Sequence, residues 1–199
     1  MKRVCAVFLL LLAGAMPAAA APIVFTTMLS AEAPVVSAGT GHATVTIDDV
    51  ANTMRVEAMF SGLTGTVTVS HIHVINDLND ANTADLNGPV YTTTPTFPGF
   101  PAGATSGMYD QTFDMTLAGS YNAALLNNPA IGGSTALAQQ VLFAAIIDGR
   151  AYLNIHSSFA PGGEIRGFLQ PEAVPEPATL TLLGLALVGA GVRRFRTRR

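Results

Sequence analysis

The sequence predicts an all-β fold, an antiparallel sandwich or barrel with one or two short helices. Three observations carry that prediction. Apolar and polar residues alternate over several short stretches, and turn residues separate those stretches at hairpin distances. The regular alternation of strands and helices that a parallel α/β sheet needs is missing. A chain of 199 residues is long enough for one ordinary domain between two short ends.

The first end reads as a signal peptide over residues 1–21. Lys2 and Arg3 precede an apolar run over residues 4–12, and small residues follow through Ala20 and Ala21, where signal peptidase would cut. The single cysteine, Cys5, lies in that segment, so the processed domain has no disulfide and no thiol ligand.

The body, residues 22–171, begins with a hairpin. Val45 and Ile47 alternate with Thr44, Thr46 and Asp48, residues 49–52 form a turn, and Met54, Val56, Ala58 and Phe60 alternate with Arg55 and Glu57. The clearest strand runs over residues 109–117, with Tyr109, Gln111, Phe113, Met115 and Leu117 on one face. Residues 151–156 and 164–169 make a further pair, joined by a loop containing Pro161, Gly162 and Gly163. Ser120 is placed to cap a short helix over residues 121–126, and Ser134 a longer one over residues 135–147 with Gly149 just past its end. Leu137, Val141 and Ala144 or Ala145 would form the buried stripe of the longer helix. Residues 76–108 are irregular, which predicts a functional loop or a lid over a sheet edge.

The second end begins with a proline-rich spacer over residues 171–177. An uncharged run over residues 178–192 follows, and then Arg193, Arg194, Arg196, Arg198 and Arg199. The run is 15 residues long, short against the ~20 of a usual span. It reads as a marginal transmembrane helix with its arginines held on the cytoplasmic side.

Charge excludes one class of partner. The body carries Arg55, Arg150 and Arg166 against eleven acidic residues, a net of −8, which would repel a phosphate backbone; nucleic acid is not a partner.

Candidate chemistry centres on histidine. His71 and His73 are two apart, so on a strand their rings share a side, and His156 would join them if its strand lies alongside. Three imidazoles with an open position suit copper or zinc; the alternative is that they hydrogen-bond loop backbone and fix the 76–108 region. The strand phase requires a bulge near Ser70 or a strand break, because His71 and His73 share parity with Val67 and Val69. Glu164 and Arg166 fall on one face of the last strand and predict a structural ion pair, with a general base or metal ligand as the other reading of Glu164. Asp77, Asp80 and Asp85 with Asn79 and Asn82 lack the spacing of a calcium loop and read as a solvated acidic loop. No hydrolase elbow, zinc-protease helix or phosphate loop is present, so no enzyme class or resident cofactor is expected beyond that copper or zinc.

Two resemblances follow from these residues. Residues 174–177 (Val-Pro-Glu-Pro), the Leu/Gly/Ala run and the terminal arginines resemble the PEP-CTERM sorting signal of exopolysaccharide-producing Gram-negative bacteria. That resemblance implies a tail, residues 172–199, recognised through Pro175, Glu176 and Pro177 and cut by an exosortase, or else kept as an anchor. The body resembles the CHRD domain through Gly62-Leu63-Thr64-Gly65, Ser70-His71-Ile72-His73, Asn87-Gly88-Pro89-Val90, residues 95–97 with 113–115, residues 151–156, and Gly162-Gly163-Glu164-Ile165-Arg166-Gly167. That resemblance implies an antiparallel Greek-key sandwich of immunoglobulin-like or superoxide-dismutase-like type. Related bacterial members often carry cysteines after the His-x-His, where this chain has Val74-Ile75-Asn76-Asp77.

Together these readings predict an exported, non-enzymatic module. It would pass through an inner-membrane intermediate to the cell surface or the extracellular polysaccharide (biofilm) matrix, with a binding or structural role there. The alternative is a histidine-ligated copper or zinc protein, or a redox protein.

Overall fold

The computed structural model describes residues 21–75 and 87–172. The signal peptide, the acidic loop with Asp77, Asp80 and Asp85, the sorting residues Pro175, Glu176 and Pro177, and the apolar run 178–192 lie outside the described residues.

Eight antiparallel strands form one curled sheet. They are β1 (Ile23–Ala31), β2 (Thr40–Asp48), β3 (Thr53–Ser61), β4 (Val67–Val74), β5 (Gly107–Asp114), β6 (Ala151–Ser157), β7 (Ile165–Phe168) and β8 (Gln170–Pro171). The strand order is β4-β6-β7-β1-β2-β3-β5, with β8 beside the start of β1. β1 belongs to both halves of the curl. Its first seven residues pair with β2, while Ser30 and Ala31 pair with Arg166 and Ile165 of β7.

The β2–β3 hairpin forms where alternation predicted it. Val45, Ile47, Met54, Val56, Ala58 and Phe60 face the core, and the Asp48 carboxylate accepts the backbone N–H groups of Val50 (3.0 Å) and Ala51 (2.8 Å). Asn52 closes the turn at φ 54°, a left-handed conformation that asparagine tolerates. The other half of the curl adds Ile72, Val74, Leu153, Ile155 and Ile165 to the same core.

β5 is shorter than predicted. The Asp114 carboxylate takes the Thr116 N–H (2.9 Å) and hydroxyl (2.6 Å), which turns the chain there and leaves Leu117 exposed while Met115 stays buried. The first helix also starts later than the Ser120 cap implied. Residues Ala118–Ser120 form a 3₁₀ turn, the Ser120 hydroxyl donates to the Asp114 carbonyl, and Asn122 caps α1 (Ala123–Leu126) by accepting the Ala124 N–H.

The second helix, α2 (Thr135–Ile147), has the predicted bounds and the predicted Ser134 cap, whose hydroxyl accepts the Leu137 N–H at 3.2 Å. Its buried stripe follows the prediction in part: Ala145 is buried and Val141 packs half-buried on the core. Ala138, Leu142, Ala145 and Ile146 are buried, while Leu137 and Ala144 face solvent. Nearly every side chain of this helix is apolar, so periodicity could not choose its phase. α2 packs across one end of the curl against β4, β6 and β8, and Gln139 donates to Asn52 at the tip of the hairpin (3.1 Å).

The described part of the irregular region covers a sheet edge. Residues 88–97 run along the outer edge of β4. Val74 donates to the Pro89 carbonyl (3.1 Å), Tyr91 to Ile72 (3.0 Å) and Phe97 to Ser70 (3.1 Å), and the Thr92 and Thr96 hydroxyls accept the N–H groups of Ile72 and Ser70.

Candidate metal centre

A bulge in β4 settles the phase of the histidine strand. Val67 pairs with Ser157 and Val69 with His156, so two steps on β4 match one on β6, placing the irregularity just before Ser70. Val67 therefore packs into the core, and His71 and His73 turn to the opposite face of the sheet. From there the register sets Val69, His71 and His73 opposite His156, Asn154 and Tyr152. Arg166 and Phe168 of β7 continue the same rows.

The three predicted histidines meet there. His71, His73 and His156 are 6%, 9% and 7% exposed, and one ring nitrogen from each lies within 4.8 Å of the others. The opposite nitrogens are anchored to backbone. His71 Nε2 meets the Pro95 carbonyl (2.5 Å), His73 Nδ1 the Gly88 carbonyl (2.8 Å) and His156 Nδ1 the Pro161 carbonyl (2.9 Å). A carbonyl only accepts, so each anchored nitrogen carries the ring's hydrogen and the other nitrogen presents a lone pair. His71 Nδ1 is buried with no hydrogen-bond partner among the described residues, and His73 Nε2 stands 3.4 Å from His156 Nε2. Two of the histidines, His71 and His73, fix the loop through one ring nitrogen each, as the backbone-anchoring reading expected.

Electrostatics favour the neutral form of His71 and His73. Burial is the main cause of a His73 pKa lowered to about 4, with His156, His71 and Arg166 adding repulsion and the Gly88 carbonyl opposing. Burial likewise lowers His71, against the Pro95 carbonyl. Neutral imidazole is the form that ligates a metal.

A stack supports the site from one side. Tyr152 lies parallel to His73, with centroids 5.0 Å apart, and the Arg166 guanidinium sits 4.9 Å from the Tyr152 ring centroid. Gly88 joins the two rings through backbone. Its carbonyl takes His73, its N–H donates to the Tyr152 hydroxyl (3.2 Å), and an added Cβ would fall 1.9 Å from the Val74 carbonyl oxygen.

The predicted Glu164–Arg166 ion pair does not form; the two residues serve different partners. Arg166 pairs with Glu32 at 3.0 Å and donates to Asn87 Oδ1 at 2.9 Å, and Asn154 donates to the other Glu32 oxygen at 2.9 Å. Glu164 precedes β7 and is fully buried. It accepts from the Ser37 hydroxyl (2.6 Å), the backbone of Thr64 (2.5 Å) and Gly65 (3.2 Å), and the Ser157 hydroxyl. Burial alone would raise its pKa, but these four donors hold it below the ordinary range. With both oxygens engaged, Glu164 joins three loops and is not offered to a metal or as a general base.

A family model for the CHRD domain matches residues 25–169, and one for the PEP-CTERM protein-sorting motif matches residues 173–199. The chain belongs to the CHRD-domain family. The histidines, Glu32 and Arg166 of this CHRD domain all lie inside the matched span. The sorting motif marks an exported protein and implies exosortase-type processing at the membrane. No curated protein and no solved structure matches the chain.

Sequence reasoning missed Glu32, Tyr152 and the three anchoring carbonyls. Glu32 is 134 positions from Arg166, and only the β1–β7 pairing brings them together.

Proposed function

We propose that this exported CHRD domain binds one copper or zinc ion through His71, His73 and His156, and does so at the cell surface or in the surrounding polysaccharide matrix of a Gram-negative-type bacterium. The observation that carries the reading is three buried imidazoles, each bringing a ring nitrogen within 4.8 Å of the others and each held by a backbone carbonyl. Two nitrogens bound to one tetrahedral zinc are separated by about 3.3 Å, from Zn–N lengths of ~2.0–2.1 Å. The His73–His156 separation is 3.4 Å. Backbone acceptors behind the rings are the outer shell that metal-ligating histidines require.

A second reading, a binding or structural module of the matrix without a metal, is favoured by the loop anchoring of His71 and His73. Metal analysis of tag-free protein separates the two. Stoichiometric copper or zinc, lost in a His71→Ala/His73→Ala variant that still folds, supports the metal centre. A metal-free protein whose melting temperature ignores added copper and zinc rejects it.

A further inference from the structure

The outward face of the other half of the sheet, formed by β1, β2, β3 and β5, carries a second donor set. Met28 pairs with His42, His42 with Met59, and Met59 with Met108, so these residues form one row across four adjacent strands, β1, β2, β3 and β5. All point outward. Met28 is 69% exposed, Met59 56% and Met108 76%, and His42 is exposed as well. The neighbouring rows of this face are of a different character: Thr26, Thr44, Glu57 and Asp110 on one side, Thr40 and Ser61 on the other.

Methionine is an odd choice for a solvated strand face, where threonine and charged residues keep the strand soluble. Beyond residue 21 the chain has five methionines, of which Met54 and Met115 are fully buried in the core; the other three are these. Directly opposed side chains on adjacent strands have Cβ atoms about 5 Å apart. His42 thus has a long, flexible thioether on either side, with the third one strand further. The row borders a hollow of about 500 Å³ that is also lined by Phe60 and Ser61.

We propose that Met28, His42 and Met59 form a surface site for copper(I), with Met108 a further thioether one strand beyond Met59. Thioether sulfur is a soft, uncharged donor that selects copper(I) over zinc, magnesium or calcium, and imidazole completes such a set. The site is distinct from the histidine cluster, shares no residue with it, and does not depend on it.

The test is competition for copper(I) against bicinchoninate, under anaerobic reducing conditions, on the purified protein. Three chains are compared: unmodified, Met28→Leu/Met59→Leu/Met108→Leu, and His71→Ala/His73→Ala. Leucine keeps the row apolar and of similar volume while removing the sulfur, so the fold, followed by thermal melting, is expected to persist. The expected result is a copper(I) equivalent that survives in the His71→Ala/His73→Ala chain, disappears in the triple-leucine chain, and is matched by no zinc binding at the row. Equal copper(I) binding by the triple-leucine chain overturns the proposal. So does self-association shared by the unmodified and triple-leucine chains without copper(I) binding, which would make the row an apolar docking face.

Discussion

His73 Nε2 and His156 Nε2 stand 3.4 Å apart, and when both rings are neutral no hydrogen lies between them, because each gives its N–H to a carbonyl on the far side. Two lone pairs face each other at that distance, and a shared cation relieves the repulsion. Added zinc or copper is therefore expected to stabilise the fold. At a free metal concentration of 100 Kd the gain is about 2.7 kcal/mol, or a rise in melting temperature of roughly 5–10 °C for a domain of this size. Differential scanning fluorimetry with and without a chelator checks it, and an unchanged midpoint contradicts it.

Gly88 tests whether ring anchoring matters. The Gly88→Ala Cβ would collide with the Val74 carbonyl, so this backbone must withdraw and release both His73 and the Tyr152 hydroxyl. Metal affinity is expected to fall roughly 10–100-fold, the usual cost of losing an outer-shell partner. Isothermal titration on folded protein measures it.

Arg166→Ala leaves Glu32 charged and nearly buried beside Asn154. The expected loss of stability is about 3–5 kcal/mol, as for other broken buried pairs. Arg166→Lys should recover only part of it, since an ammonium cannot reach Glu32 and Asn87 while also lying flat over Tyr152. Urea denaturation of the two variants separates charge from shape.

Glu164 sets an acid limit. Its folded pKa lies below the ordinary 4.5, so between the two values the unfolded chain binds more protons. Its stabilisation is complete above about 4.5 and is lost as pH falls through the folded value. Glu164→Gln is expected to cost about 2–3 kcal/mol at neutral pH and to flatten the stability profile in that acidic window. Parallel profiles for the two proteins would contradict this.

The sorting motif implies a processed tail. Intact-mass measurement of the native protein is expected to show loss of residues 178–199, cut beside Pro175-Glu176-Pro177. Recovery of the terminal arginines from the outer surface would show an uncut anchor instead.

What the sequence disclosed tracks the range of the forces involved. The β2–β3 hairpin, the Ser134 cap and the His71/His73 pairing depend on residues a few positions apart, and local periodicity or capping chemistry specifies them. Convergence of His156 was readable only as a condition, because it needed the β4–β6 pairing across 83 positions. Arg166 went astray for a related reason. Glu164 is its neighbour in sequence, but the turn into β7 sends that carboxylate toward the loops of Ser37 and Thr64 and leaves the guanidinium to Glu32. The methionine row is invisible in one dimension, since each of its members sits on a different strand.

The strip of chain along β4 has a consequence for life among many copies. An uncovered strand margin is a template on which a second molecule can grow, and β4 has its N–H and C=O groups already taken by residues 88–97. At the opposite margin, β5 displays Asp114, whose charge opposes the approach of another β5, while Arg55 of β3 engages Asp110 (2.6 Å). Both margins of the described sheet thus resist edge-to-edge growth between copies.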